Sequence, residues 1–205
     1  MTAPSPSSSS VSSQSRPEKK ATVVVRLAAA EDEAHINQIH SVINRAYRSV
    51  SEERITIDEL KAALVDKVNP LFLAFDSETG EALGTLQLDP AEHYPDFGVY
   101  SMEGHVQSYV ETLPKEQQVF LGLFSVDPSQ QSRGIGRKLV EASLQHAKEN
   151  MKRTQCVVYV LYMRDELINW YKKLGFVDYG EKVNFPDASR LKQEGNHFSV
   201  LRLAL

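Results

Sequence analysis

Hydrophobic positions recur along this chain with two periods, and from residue 22 onward they mark out alternating strands and helices. Thr22 to Leu27 is rich in β-branched residues and reads as a strand. Between Glu31 and Arg48, Ile36, Ile39, His40, Ile43 and Tyr47 fall at helical spacing. Thr56 suits a helix N-cap, with Glu59 three residues on and Leu60 and Leu64 repeating at four. Leu71 to Phe75 and Ala82 to Leu88 read as strands joined by a hairpin over Ser77–Gly80. Gln118 to Val126 is an apolar strand, and Ile135 to Glu149 a helix with Ile135, Leu139, Ala142 and His146 on one face. Cys156 to Leu161 reads as a buried strand and Glu166 to Leu174 as a helix stopped by Gly175. Phe176 to Val183 and Phe198 to Leu203 close the series as strands. The order β-α-α-β-β-β-α-β-α-β-β predicts an α/β domain with a mixed sheet.

Two stretches interrupt the pattern. Residues 1–20 are almost all Ser, Pro and small or charged side chains. They cannot bury enough apolar surface to offset their ordering entropy, which predicts a disordered tail ahead of a domain over 21–205. No acidic residue precedes Glu18, as in a mitochondrial transit peptide, but Arg is scarce and no amphipathic face is visible. Residues 90–117 carry Pro90, Pro95 and Pro114 and form an insertion between strands. Val106, Tyr109 and Val110 suit a short helix inside it, and a segment this long is either a lid or a surface excursion.

Composition narrows the classes. A chain of 205 residues with 41% hydrophobic positions suits one packed domain. Its 23 Lys and Arg against 27 Asp and Glu leave a net charge of −4, which argues against a nucleic-acid partner. The single cysteine, Cys156, excludes an intrachain disulfide framework and a Cys-rich metal site, and its apolar neighbours mark it as a core residue. No metal is expected. No apolar run is long enough for a membrane span, and the N-terminus has no apolar signal core. The expectation is a cytoplasmic protein, with nuclear entry left open, that takes no membrane partner and acts as a monomer or homodimer. The run Glu31-Asp32-Glu33 reads as a favourable charge cluster at a helix N-terminus.

The sharpest chemical feature is Gln131-Ser132-Arg133-Gly134-Ile135-Gly136, set between a strand and a helix. Glycines let backbone approach a phosphate closely. The helix that follows presents unpaired N–H groups and a positive dipole end to an anion. Arg133 and Arg137 can add charge-assisted hydrogen bonds, so a pyrophosphate is the natural guest. The third glycine of a dinucleotide fingerprint and the Gly-Lys-Ser/Thr of a P-loop are missing.

The surrounding run from Phe120 through Val126, Asp127, Pro128 and Gln131 to Leu139 resembles the central strand, loop and helix of the GNAT superfamily of acetyl-CoA-dependent N-acetyltransferases. Leu167 to Phe176, an apolar helix carrying Tyr171 and ending in Leu174-Gly175-Phe176, resembles that family's second signature. The element order is similar from Thr22 to Leu203. The resemblance implies a mixed, mostly antiparallel sheet flanked by helices, with splayed central strands. It implies acetyl-CoA as cosubstrate and an amine acceptor attacked directly, and the 90–117 insertion, able to cover a pocket, favours the primary amine of a small molecule over a peptide. Phe124 matches the residue whose N–H meets the thioester carbonyl. Ser125 and Val126 match positions that pair with the pantetheine arm. Gln131, Ser132, Arg133, Gly134, Ile135 and Gly136 match the pyrophosphate loop, with Arg137 at its helical end. Tyr171 matches a tyrosine that protonates the departing thiolate. Tyr47, Glu53 and Arg54 lie where the family builds its acceptor pocket, with Tyr47 and Arg54 as acceptor contacts, and of the two histidines of the insertion, His93 and His105, His93 is a further candidate to contact the acceptor. A lysine or N-terminal acetyltransferase and a non-catalytic coenzyme A sensor are the alternative readings.

Two positions depart from the family pattern. A glutamate common on the central strand is here Phe120, which leaves water, Gln118 or a residue of 90–117 as the base. The asparagine seven residues before the tyrosine is here Arg164. A chain beginning at Ala21 keeps the melting temperature and the thiol-releasing activity of the full chain, and a clear loss of either would contradict the tail assignment.

Overall fold

A computed structural model describes residues 22–49, 51, 53–93, 99–101, 113–184 and 197–205. The tail, His105 and the expected helix around Val106 lie outside these residues. The strands are β1 (Val23–Leu27), β2 (Leu71–Asp76), β3 (Ala82–Pro90), β4 (Val99–Ser101), β5 (Gln118–Val126), β6 (Gln155–Leu161), β7 (Val177–Asn184) and β8 (His197–Ala204). The helices are α1 (Ile36–Tyr47), α2 (Ile57–Val65), α3 (Ile135–Glu149) and α4 (Asp165–Lys173).

Local chemistry explains most of these boundaries. The Thr56 hydroxyl accepts from the Glu59 amide at 3.3 Å while the Glu59 carboxylate takes the Thr56 amide at 2.8 Å, so α2 starts at a closed capping box. Gly80, at φ +72°, completes the β2–β3 turn. The buried stripe of α3 runs Ile135, Leu139, Val140, Ser143 and Ala147, which leaves His146 at its rim with its ring edge against Phe72. The first helix differs from its sequence reading. Ala30–His35 is a 3₁₀ turn, and α1 begins only at Ile36. Asp32 is the cause: it folds inward, 1% exposed, and accepts from the Ala29 amide at 2.9 Å and from Arg26 at 2.6 Å. Burial opposes its ionisation, but those hydrogen bonds outweigh burial and hold its pKa below the usual carboxylate value. The acidic run does sit in the first turn of this 3₁₀ helix, and within it Asp32 is also an interior anchor.

The strands form an eight-stranded sheet in the order β1-β2-β3-β5-β6-β8-β7-β4. All neighbours are antiparallel except β5 and β6. The strand β4, inside the 90–117 insertion, adds an edge to β7 through Val99 and Val183. Ile39, Ile43, Leu60 and Leu64 from α1 and α2 pack on Leu71, Leu73 and Phe75 of one face. Leu139, Val140 and Ile168 from α3 and α4 pack on Phe72, Ala74 and Leu88 of the other. Every residue of β2 is buried, as a strand covered on both faces requires. No helix among the described residues is long and apolar enough to cross a membrane.

The sheet parts at its centre. Strands β5 and β6 pair only from Gln118 to Phe120 against Gln155 to Val157. The closed end is held by Arg202, 7% exposed, which donates to Glu181 at 2.6 Å, to Gln155 at 2.9 Å and to Gln118 at 3.2 Å. The open end follows a bulge. Thr85 pairs with Ser125 but Gln87 with Gly122, so Leu123 and Phe124 together face one residue of β3. Leu123 sits at φ +40°, a region a leucine rarely enters. The Thr85 hydroxyl secures it, bonding the Leu123 carbonyl at 2.6 Å and the Ser125 hydroxyl at 2.7 Å. Replacing the buried Arg202 strands the Glu181 carboxylate without its cation. Arg202→Met therefore lowers the unfolding free energy by about 3–5 kcal/mol in denaturant titration, and an unchanged midpoint would show that this ion pair does not hold the strands together.

Candidate active site

The gap between β5 and β6 opens a cleft of about 850 Å³ that passes between the two faces of the sheet. Its walls are the β5 residues 120–126 and the β6 residues 158–161. Beyond Phe120 the β6-facing backbone groups of β5 have no strand partner, so they are available to a ligand lying in the gap.

At one end stands the glycine loop. Ser132 at φ +66° and Gly134 at φ +77° turn the chain sharply into α3. Lys138 makes the first α-helical bond, back to the Gly134 carbonyl at 3.1 Å. The amides of Ile135, Gly136 and Arg137 are left without intrahelical partners, and these three residues line the cleft. Around Gly134 the position of a β-carbon has nothing within 4 Å, so the loop is an open cradle. Gly136 has the opposite constraint: a β-carbon there would come within 3.1 Å of the Phe124 ring. The loop is tied to α1 by Asp127, which caps the Pro128–Gln130 turn through the Ser129 amide at 3.0 Å and pairs with Arg45 at 2.6 Å. The two arginines divide. Arg137 reaches the cleft, with its guanidinium 2.7 Å from Glu141. Arg133 turns away toward Gln130 and Asp76, 3.7 Å off, and braces the loop from behind.

Aromatic rings fill the middle. Phe124 stacks on Trp170 with centroids 5.7 Å apart, and Tyr171 meets Trp170 edge-on at 5.0 Å and Phe176 at 5.2 Å. Tyr171 lines the cleft yet is only 2% exposed. Burial raises its pKa well above that of an ordinary phenol, and the Tyr47 and Cys156 groups push the same way. The hydroxyl therefore stays protonated across the physiological range. Cys156 is buried in the core, where burial raises its thiol pKa far above normal. Ser125 is buried with its hydroxyl in the Thr85 clamp, while Val126 packs beside Phe124. Trp170 was not singled out from the sequence. Its ring spacing to Phe124 depends on how α4 crosses β5.

The other end of the cleft is polar. Tyr47, Ser51, Glu53 and Arg54 line it, with the Arg54 guanidinium 5.2 Å from the Tyr47 ring centroid. Asn44 staples this segment to α1. Its amide oxygen accepts from Arg54 N–H at 2.6 Å, and its nitrogen donates to the Ile55 carbonyl at 3.0 Å. Arg164, at the start of α4, also lines the cleft and pairs with Glu166. His93 is exposed on the turn after β3 and is not among the lining residues. Gln118 is held between Arg202 and the Leu113 carbonyl at the closed end of the strands.

One acidic residue went unnoticed in the sequence. Asp89 lies opposite Phe120 in the β3–β5 register, and its carboxylate lies over Gly122, where a β-carbon would collide with it. Burial lifts its pKa to about 6, against the lowering field of Arg54 and with a further raise from Asp66. The only sequence signal was the run Thr85, Gln87, Asp89, a polar alternation within an apolar strand.

Residues 36–176 match the Acetyltransferase (GNAT) family. The chain belongs to the GNAT acetyltransferase family. Family members use acetyl-CoA, and the parted β5–β6 pair, glycine loop and crossing α4 make this a GNAT domain in architecture as well. An N-acetyltransferase from Staphylococcus aureus Mu50 superposes with a TM-score of 0.66 at 19% identity, over 89% of this chain and 98% of that one. A mutant spermidine N-acetyltransferase SpeG from Vibrio cholerae gives 0.62 at 15% identity, over 89% and 93%. Salmonella typhimurium yncA, solved with its cofactor acetyl-CoA, gives 0.60 at 17% identity, over 90% and 94%. No curated relative matches this GNAT domain by sequence.

Proposed function

We propose that this GNAT protein is an N-acetyltransferase that moves acetyl from acetyl-CoA to the primary amine of a small molecule by direct attack. The observation that carries the reading is the continuity of one cleft from the open cradle at Gly134, past Phe124 and Tyr171, to the polar end at Tyr47 and Arg54. The pyrophosphate lies on the free amides at the start of α3, where Gln131, Ser132 and Gly134 form the rim and Arg137 supplies charge. The pantetheine arm runs along the unpaired edge of β5 at Ser125 and Val126, replacing the missing strand. The Phe124 N–H meets the thioester oxygen and stabilises the charge that develops there. Tyr171 donates its proton to the departing sulfur. The acceptor enters past Tyr47 and Arg54, and the spermidine N-acetyltransferase among the solved neighbours supports a small amine.

Gly134→Val fills the cradle and strains a residue at φ +77°. Acetyl-CoA affinity measured by calorimetry falls at least about tenfold, and an unchanged affinity in a variant with native circular dichroism would move the site elsewhere. Tyr171→Phe keeps the ring in its aromatic cage but removes the acid. Its turnover falls about 10²–10⁴-fold while acetyl-CoA affinity stays near that of the wild type. Undiminished turnover would return Tyr171 to a packing role.

A further inference from the structure

Acetyl transfer to an amine must dispose of a proton. The amine nitrogen attacks the thioester carbon, a C–N bond forms, and the carbonyl electron pair moves to oxygen. The nitrogen now carries a positive charge and must lose one proton before the C–S bond breaks and the sulfur takes a proton from its own acid. On β5 the wall of the cleft offers no carboxylate, since position 120 is a phenylalanine. Glu53 is 58% exposed and sits 3.6 Å from His40. Tyr171 is held protonated, and the Gln118 amide is neither basic nor free.

We propose that Asp89 is the general base of the reaction, taking the proton of the acceptor nitrogen through a water across the bare backbone of Gly122. The inference rests on the acetyltransferase reading. Asp89 and Phe120 are direct cross-strand partners, so their side chains share the face that carries α1 and α2. Phe120 and Gly122 line the cleft on that face, beside Tyr47, Glu53 and Arg54. Gly122 has no side chain, and this absence lets the carboxylate of the neighbouring strand lie against the cleft wall. A carboxylate thus arrives from β3 at the site where β5 carries an apolar ring.

The environment suits the role. Among the described residues, no group donates a hydrogen bond to the Asp89 carboxylate, although the residue is partly buried. A desolvated carboxylate beside a cleft wall is a candidate for chemistry rather than for packing. The charged groups that face it are Arg54, ahead of α2, and Asp66, at the end of α2, itself close to His93. Phe120 and Gly122 contribute none from β5. The carboxylate titrates at about 6, so it is ionised at neutral pH yet far more basic than an ordinary aspartate.

The test is the pH dependence of kcat/KM with one accepted primary alkylamine. The amine, of pKa about 10.4, contributes one unit of slope to the logarithm of the rate throughout the range. Ionisation of Asp89 adds a second unit below about pH 6. Asp89→Asn loses the second slope and about 10²–10³-fold of kcat. It keeps acetyl-CoA affinity, and its melting temperature at pH 7 is equal or higher, because a desolvated charge has been removed. Asp89→Glu recovers part of the rate. Arg54→Met, which removes the cation that favours the ionised carboxylate, moves the wild-type break to higher pH. A wild-type profile without the break, or an Asp89→Asn enzyme that keeps both slope and rate, overturns the assignment. If the wild type releases no thiol with any amine, the acetyltransferase reading itself fails, and that outcome is distinct from the other two.

Discussion

Everything this molecule offers a ligand depends on the parting of β5 from β6. Two parallel strands at the centre of a sheet would normally pair along their full length. Here the pairing stops after Phe120, and the bulge at Leu123–Phe124 follows at once on the β3 side of the same strand. Such a break exposes backbone groups that would be costly to leave unpaired. It persists because both ends are over-determined. The Arg202 fork to Glu181, Gln155 and Gln118 closes one end, and the buried Thr85–Ser125 hydroxyl pair holds the other. The strain of Leu123 at φ +40° is offset by burial of its side chain in the core beneath α1.

Helix α1 connects the two ends of the cleft. Its Arg45 grips Asp127 at the root of the glycine loop, and one residue earlier its Asn44 staples the segment that carries Arg54. The cradle and the polar end are therefore referred to one rigid rod. The opposite wall is set by α4, whose Trp170 and Tyr171 meet Phe124 across the gap. Gly136 eases this closeness, since a β-carbon there would come within 3.1 Å of the Phe124 ring and press it aside.

The electrostatics of the cleft follow from burial. Tyr171 sits in an aromatic cage and holds its proton tightly, whereas Asp89 sits at the edge of the α1–α2 face within the field of Arg54. Desolvation raises both pKa values. For the phenol the result is a group that stays neutral, and for the carboxylate it is a group that titrates near neutrality. One physical effect thus acts on two side-chain chemistries, locking the phenol neutral and bringing the carboxylate's titration toward neutral pH.

Most of the fold was legible in the chain itself. The boundaries of β5 and α3, the Thr56 cap and the Gly80 turn are local matters of periodicity, capping and backbone freedom, and sequence carries those directly. So was the glycine loop, because a strand, two glycines and a helix are contiguous. What escaped was set by partners distant in sequence. Asp32 looked equivalent to the other two acids of a helix start until Arg26 turned it inward. Arg133 and Arg137 looked equivalent until Asp76 drew one of them away from the cleft. Trp170 became a cleft residue through the crossing of α4, and Asp89 through its register with Phe120. Local propensity fixes which residues become strand or helix, but which side chains meet across β3, β5 and α4 depends on register and packing, and those are decided only when the whole sheet closes.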